Sequence, residues 1–459
     1  MERIHFIGIG GGVMHNLAIS LHKNGDTVTG SDERFTSLAQ QKLERNDIMP
    51  KDRKWHPEKI TKKLTAVILG QYATADNPEL IKAQELGLNI FSYPEYIYEK
   101  SKNKQRIVIG GSNGKTTITT LIIHALTFNN IDVDFLVGEQ LEGFDTLLQL
   151  TDDAKVIIIE GDENIACAIH PNPKFFFYKA DIALISGIAW DHANVFPSFY
   201  IYIDQFRKFI DSINENGNLV FCENDIMVKR LVEEHSKELI KIPYKTHPYE
   251  TFENKNYLIV DSGRIPLTVF GEHNMQNVAG ALQICRMLGL TEQMFYDAML
   301  TFKGTTKRLQ LLGKNDSVNV YLDFAHSPSK LSATIKAVRQ QFPKRHLVAC
   351  MELHSSSSLS ETFIEQYNGT MDLADTRFVY YNPNAAKVKG KTIVDPEQVF
   401  NAFGNAQLKV FTDQEKLIEE IKSIEWQNKN LLFMSSGDFS GVDFKQIVDE
   451  VTAVKHHAL

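Results

Sequence analysis

An α/β protein built from three successive units is what the sequence predicts, and three observations carry that prediction. Short apolar runs alternate with helical stretches along most of the 459 residues, the pattern of parallel sheets flanked by helices. Two of the runs pass directly into glycine-rich turns, Gly8–Gly12 and Gly110–Gly114. The alternation restarts after the polar stretch Ser101–Gln105 and again after the basic turn Phe302–Arg308. The expected domains are 1–103 and 305–459, both Rossmann-like, around a central phosphate-loop domain at 104–304.

In the first domain the run Ile4–Ile7 reads as a buried strand. Gly8-Ile9-Gly10-Gly11 comes next, then a helix carrying Leu17, Ile19 and Leu21 that Gly25 stops. A second strand, Thr27–Gly30, ends at Ser31-Asp32. This is a βαβ start with an acid placed to grip a ribose hydroxyl, and Gly8, Gly10, Gly11 and Asp32 are its candidate binding residues. The dinucleotide fingerprint asks for Gly or Ala where Val13 stands, so a diphosphate other than NAD fits better. Ala66–Gly70, a helix from Asn77-Pro78 and Asn89–Phe91 extend the unit.

The central unit begins with Arg106–Ile109, then Gly110-Gly111-Ser112-Asn113-Gly114-Lys115-Thr116-Thr117 and a helix through Leu126. Strand, glycine-rich turn and helix together form a phosphate loop, whose backbone N–H groups and helix N-terminus attract phosphate oxygens. Lys115 would reach the β- and γ-phosphates of a nucleoside triphosphate, and the Thr116 hydroxyl would ligate Mg²⁺. The apolar strand Lys155–Ile159 ends on Glu160, with Asp162 and Glu163 beyond. Glu160 is the expected metal partner of Thr116, against a solvated acidic loop as the alternative. A further strand, Ile182–Ser186, leads to Asp191-His192; at that place a histidine is a metal ligand or a packed core side chain. Strands at Leu219–Cys222, Tyr257–Val260 and Pro266–Val269 precede Gly271-Glu272-His273-Asn274 and the helix to Leu288, with Asn277 on the face of Asn274.

The third unit repeats the pattern. A strand ends at Asp323-Phe324-Ala325-His326, a helix spans 329–341, and strands lie at 346–350, 377–381 and 430–434.

Composition narrows the class of partner. The net charge of −8 argues against nucleic acid and anionic membranes. No apolar run approaches ~18 residues, so no membrane span is expected. The N-terminus turns glycine-rich too early for a signal peptide. Four cysteines, Cys167, Cys222, Cys285 and Cys350, lie far apart without metal spacing, which suits reduced thiols and a cytoplasmic protein.

Taken in order, these motifs resemble the Mur ligase family of ATP-dependent amide ligases, over essentially the whole chain. The resemblance rests on Gly8–Gly11 with Ser31-Asp32, Gly111–Thr117, Glu160-x-Asp162-Glu163 and Asp191-His192. It continues through Gly271-x-His273-Asn274-x-x-Asn277, Lys307-Arg308 and Asp323-Phe324-Ala325-His326-x-Pro328. It implies a UDP-sugar site at Gly8, Gly10, Gly11 and Asp32. It implies an ATP site at Gly111, Ser112, Asn113, Gly114, Lys115, Thr116, Thr117, Asn274, Arg308, Asp323 and His326. Lys115, Glu160 and His192 would be catalytic, with Mg²⁺ at Thr116 and Glu160 and a second ion at His192. The site would lie between three domains, and the chain would be a monomer or weak homodimer.

Two branches of the family open with such an N-terminal domain. One adds L-alanine to UDP-N-acetylmuramate; the other adds the recycled tripeptide L-Ala-γ-D-Glu-meso-diaminopimelate. The long interval from Glu160 to Asp191, His192-Ala193-Asn194-Val195-Phe196-Pro197 and Met434-Ser435-Ser436-Gly437-Asp438-Phe439-Ser440-Gly441 resemble the second branch. The chain departs from the family at His15-Asn16, Ser186-Gly187, Ala189, Gln205 and Glu352–Ser358. Those departures leave L-alanine addition, or a sensor that binds UDP-sugar and ATP without joining anything, as the competing readings.

Overall fold

A computed structural model describes residues 1–139, 146–388, 395–404 and 406–453. Contacts divide the chain into two units. The first comprises Met1–Ile188, Ile203–Lys245 and Val278–Ala298; the second comprises Ala189–Tyr202, Thr246–Asn277 and Met299–Leu459.

The first unit holds two main sheets. Strands β1 (Arg3–Ile7), β2 (Thr27–Ser31), β3 (Ala66–Leu69) and β4 (Ile90–Ser92) pair in the order β2-β1-β3-β4, all parallel. The chain reverses direction across the sheet between β1 and β3, and such a switch point opens a crevice at the carboxyl ends of the strands. The glycine turn after β1 sits there. Seven strands form the second sheet: β5 (Gln105–Gly110), β6 (Asp134–Leu136), β7 (Leu148–Gln149), β8 (Val156–Glu160), β11 (Ile182–Ile185), β12 (Asn218–Cys222) and β13 (Ile240–Tyr244). Their order is β13-β12-β11-β5-β8-β6-β7, so β5 lies between β11 and β8 at a second switch point. Ile107, Val108, Ile109, Ile157, Ile158 and Ile159 are fully buried, as internal parallel strands require. A small hairpin of β9 (Ile165–Cys167) and β10 (His170–Pro173) connects β8 to the short helix Lys174–Phe177.

The second unit has a three-stranded antiparallel sheet, β14 (Tyr249–Phe252), β15 (Lys255–Val260) and β16 (Gly263–Leu267). Its larger sheet contains β17 (Gln310–Lys314), β18 (Val318–Asp323), β19 (His346–Glu352), β20 (Thr376–Tyr380), β21 (Leu408–Phe411) and β22 (Lys429–Met434). The order is β17-β18-β22-β19-β20-β21, with β17 an antiparallel edge. Register places Asp323 of β18 and Met351 of β19 on either side of Met434 of β22, so three loops leave one edge of this sheet side by side. Two clusters of buried side chains, one on each face, hold the sheet between its helices.

The expected strands and helices are present, with differences. The helix Ser37–Arg45, capped by the Thr36 hydroxyl, was not expected. β16 ends at Leu267, ahead of the expected Val269, because the turn through Gly263 (φ 130°) sets its register against β15. The stretch Ser101–Gln105 is a tight connection: Ser101 closes a helix, and Lys104 Nζ bonds Asp134 Oδ2 at 2.6 Å and the Ala154 carbonyl at 2.9 Å. Among the described residues no helix is long and apolar enough to cross a membrane. The four cysteines are buried and unpaired with one another.

In the first unit, His5 of β1 and Glu79 of the helix Pro78–Glu85 form a fully buried pair, with Nε2 and Oε2 3.2 Å apart. Glu79 Oε1 also accepts from the His56 backbone at 2.6 Å. Burial raises the Glu79 carboxyl pKa, but the His5 hydrogen bond and charge outweigh it and leave the group below its ordinary value of 4.5. A depressed carboxyl pKa contributes stability that is full above the unfolded value and is lost as pH falls through the folded one. Urea unfolding of Glu79→Gln should therefore show a shallower loss of stability below pH ~4.5 than the parent chain. An unchanged acid limb would contradict this role.

Candidate active site

The phosphate loop takes its shape from what surrounds β5. Gly111 has φ 134°, and a Cβ there would overlap the Ser186 hydroxyl. Ser112 N donates to the Gly187 carbonyl at 2.9 Å, and Ser186 Oγ bonds the Asn113 carbonyl. The Ser186-Gly187 departure thus clamps the loop from the end of β11. Gly114, at φ 80°, begins the helix Lys115–Phe128 in a conformation that a side chain would strain. Ser112, Thr116 and Thr117 are buried beneath the turn.

Acids converge on the loop from the end of β8. Thr116 Oγ1 donates to Glu160 Oε1 at 2.8 Å, and Gly138 N donates to Glu160 Oε2 at 2.7 Å. Glu160 is therefore engaged with the loop and is not part of a solvated acidic turn. Lys115 Nζ donates to the Gly111 carbonyl at 2.5 Å and to Glu163 Oε2 at 2.9 Å. Burial lowers the Lys115 pKa; Glu163 and Asp162 outweigh that and hold the amine charged. Burial likewise raises the Asp162 pKa, and the ammonium groups of Lys174 and Lys115 pull it well below the usual carboxylate range. Glu163 and Lys174 were not singled out by role from the sequence. Glu163 had a signal, since it stands in the acid run; Lys174 had none beyond its place in an apolar stretch.

The first glycine turn is closed by its own acid. Gly10 N donates to Asp32 Oδ2 at 2.8 Å, Arg34 N donates to Asp32 Oδ1 at 3.0 Å, and Gly8 N donates to the Ser31 carbonyl at 2.8 Å. A Cβ on Gly10 would lie 2.9 Å from Asp32 Oδ2. The His15-Asn16 departure has a packing reason: Asn16 Oδ1 accepts from Thr146 Oγ1 at 3.2 Å and Leu147 N at 3.3 Å, while His15 Nδ1 pairs with the Gly11 carbonyl at 2.8 Å.

The remaining expected site residues lie in the second unit. His192 is half-buried with φ 53°, and its N–H donates to Asp191 Oδ1 at 2.8 Å. It is not a packed core histidine. Asp191 Oδ2 receives Lys330 Nζ at 2.8 Å and faces His326 Nε2 at 3.8 Å. Burial, then Lys330, push the His326 pKa down to about 3, so the ring is neutral. Burial acts against Asp191, but the Lys330 ammonium beside it holds the carboxyl ionised. Asn274 Nδ2 donates to the Phe270 carbonyl at 2.8 Å and its Oδ1 accepts from Asn277 Nδ2 at 3.3 Å. Asp323 is buried and accepts from Leu309 N and Ala325 N, each at 2.7 Å. Arg308 lies over the Phe324 ring, 4.6 Å from its centroid.

Among the described residues no group of three or more His, Cys, Asp or Glu is arranged to hold a metal ion. The hydroxyl–carboxylate pair of Thr116 and Glu160 is nonetheless a hard-oxygen donor set on a phosphate loop, and that set fits Mg²⁺, which retains several waters.

Fold and site define a phosphate-loop enzyme with a glycine-rich turn at the switch point of each main sheet of its first unit. Family models match along the chain: the Mur ligase family catalytic domain at residues 3–105, the Mur ligase middle domain at 109–285, and the glutamate ligase domain of Mur ligases at 307–437. The chain belongs to the Mur ligase family, whose members are ATP-dependent ligases that form amide bonds. A curated relative, UDP-N-acetylmuramate–L-alanine ligase of Carboxydothermus hydrogenoformans, is 29% identical over 353 residues, covering 74% of this chain and 73% of its own. A murein peptide ligase from Psychrobacter arcticus shares the fold with TM-score 0.66 at 20% identity, covering 99% of each chain. The UDP-N-acetylmuramate–alanine ligase of Thermotoga maritima does so with TM-score 0.69 at 19% identity, covering 96% of this chain and 97% of its own.

Lys115→Ala should lower ATP turnover roughly a thousandfold, the scale of losing a preorganised phosphate-binding cation. ADP release measured on folded protein checks it; wild-type release would contradict the assignment. Gly111→Ala should destabilise the chain by about 1–3 kcal/mol or more from backbone strain alone, read as a lowered unfolding midpoint.

Proposed function

We propose that this ligase joins UDP-N-acetylmuramate to the tripeptide L-Ala-γ-D-Glu-meso-diaminopimelate in the cytoplasm, returning a recycled peptide to peptidoglycan synthesis. The observation that carries the choice of acceptor is a meeting of segments within the second unit. Glu352 Oε2 accepts from Phe439 N at 2.9 Å and from the Ser435 hydroxyl, which ties Glu352–His354 to the loop 434–441. A Cβ on Gly437 would lie 2.6 Å from His354 Nδ1, so loop and imidazole are in close packing. Ser357 Oγ donates to Asn194 Oδ1 at 3.3 Å, which joins the serine run to His192–Pro197. Two of these segments are those that resemble the peptide-adding branch. Tyr380 and Asn382 reach Ser440 Oγ at 2.8 and 3.0 Å, adding polar groups suited to a charged peptide.

In the proposed reaction a lactyl carboxylate oxygen of UDP-N-acetylmuramate attacks the γ-phosphorus of ATP, and ADP leaves. The acceptor amine then attacks the acyl carbon and phosphate leaves with its bridging oxygen. Lys115 and the loop N–H groups would orient the triphosphate and neutralise its charge. Thr116 and Glu160 would hold Mg²⁺, which supplies charge neutralisation at the phosphate oxygens, and His192 would hold a second ion. Asn274, Arg308, Asp323 and His326 are proposed for the adenine, phosphate and ribose. Gly8, Gly10, Gly11 and Asp32 are proposed for the UDP-sugar. Residues 1–103, 104–304 and 305–459 would serve UDP-sugar, ATP and acceptor respectively.

The alternative is L-alanine addition, favoured by the names of the curated relatives. Phosphate release with ATP, Mg²⁺ and UDP-N-acetylmuramate separates the two. Turnover with the tripeptide and none above background with L-alanine is expected. The reverse would move the chain to the alanine-adding branch.

A further inference from the structure

Lys174 has no place in the proposed reaction, yet its surroundings are built around it. The segment from Ile165 to Tyr178 is anchored at its start in the first sheet's core, where Cys167 packs with Ile7, Val67, Leu69 and Leu80. Past the hairpin it turns back to the acid run: Lys174 N donates to the Asn164 carbonyl at 2.9 Å and Phe175 N to the Asp162 carbonyl at 3.1 Å. The buried Lys174 ammonium lies 2.6 Å from Asp162 Oδ2 and 5.8 Å from the centroid of the Tyr93 ring. The other oxygen of Asp162 accepts from Asn164 N at 2.9 Å and Asn164 Nδ2 at 3.0 Å.

Three carboxylates, Glu160, Asp162 and Glu163, therefore share two ammonium groups, Lys115 and Lys174. Asp162 acts electrostatically on both of those lysines. Where water is largely excluded, a carboxylate that loses its cation draws on the next one within reach. Here that cation is Lys115.

We propose that Lys174 is a positioning residue for Lys115: by occupying Asp162 it leaves Glu163 as the one acid of the pair that competes with the nucleotide for the Lys115 ammonium. The proposal rests on Lys115 serving the triphosphate. Lys174 touches neither nucleotide nor sugar in this scheme; it acts through Asp162.

A charge-balance cycle tests it. Lys174→Met should lower kcat/KM for ATP at least about tenfold. Lys174→Arg should keep most of the activity, because a guanidinium can hold the same carboxylate. The double variant Asp162→Asn/Lys174→Met should recover to within about threefold of the parent, since the competing charge is gone; such non-additivity is the signature of residues acting on one another. On protein shown folded by its unfolding midpoint, a double variant no better than Lys174→Met would overturn the proposal, as would a Lys174→Met that loses stability but keeps the parent's kcat/KM for ATP, the mark of a merely structural ion pair. Should Lys174→Met fail to fold, the double variant decides alone: activity near the parent supports the proposal, and a tenfold loss or more overturns it. Lys115→Ala separates the two layers. Wild-type turnover there would sink the reading of the phosphate loop itself, whereas an inactive Lys115→Ala with an unrecovered double variant sinks only the role of Lys174.

Discussion

The turn Gly110–Gly114 is gripped by the ends of two neighbouring strands, and the chemistry of the first unit depends on that grip. On the β11 side, Ser186 and Gly187 bond its backbone so closely that residue 111 has no room for a side chain. On the β8 side, Glu160 takes the Thr116 hydroxyl. A loop held at both edges presents its N–H groups in a fixed array, so binding phosphate need not order it first. The two departures in sequence at Ser186-Gly187 thus keep the loop's geometry by their own contacts.

Charge is arranged with the same economy. The acids at the end of β8 would repel a triphosphate if left bare, but Lys115 and Lys174 engage Glu163 and Asp162 by direct contacts of 2.9 and 2.6 Å. In the second unit Asp191 does two tasks at once. One oxygen caps the left-handed His192, and the other collects Lys330, so the histidine's backbone geometry depends on a half-buried ion pair. The loops after β18, β19 and β22 emerge next to one another because their strands are adjacent in register. Adjacency brings Glu352 to Ser435 and Phe439 although they are far apart in sequence.

Much of this was legible before the fold was known. Buried strands such as Ile157–Ile159 announce themselves by continuous apolar residues, and the phosphate loop by glycine spacing between strand and helix. The pairing of Thr116 with Glu160 follows from neighbouring strands: Thr116 opens the helix that follows β5, and Glu160 ends β8. Several edge strands were not legible: β7, β13, β14, β17 and β21 are short or half-exposed, and their pairing comes from the neighbour, not from local pattern. Lys174 was hidden because its meaning depends on Asp162 across the hairpin β9–β10. Asp323 and Asn274 were legible as motif residues, but only the structure shows their side chains bonded to the local backbone. Ser186 read as a departure from the family, and its hydrogen bonds to the loop explain why serine suits that place.

The central claim is that the family's activation of a carboxylate by ATP takes place at this phosphate loop. Oxygen transfer tests it most directly. UDP-N-acetylmuramate labelled with ¹⁸O in both carboxylate oxygens would be turned over with ATP, Mg²⁺ and acceptor, and the released phosphate analysed by mass. The account predicts one labelled oxygen in each phosphate and one retained in the amide. Unlabelled phosphate accompanying product would contradict it, because the carboxylate would then never have been joined to the γ-phosphoryl group.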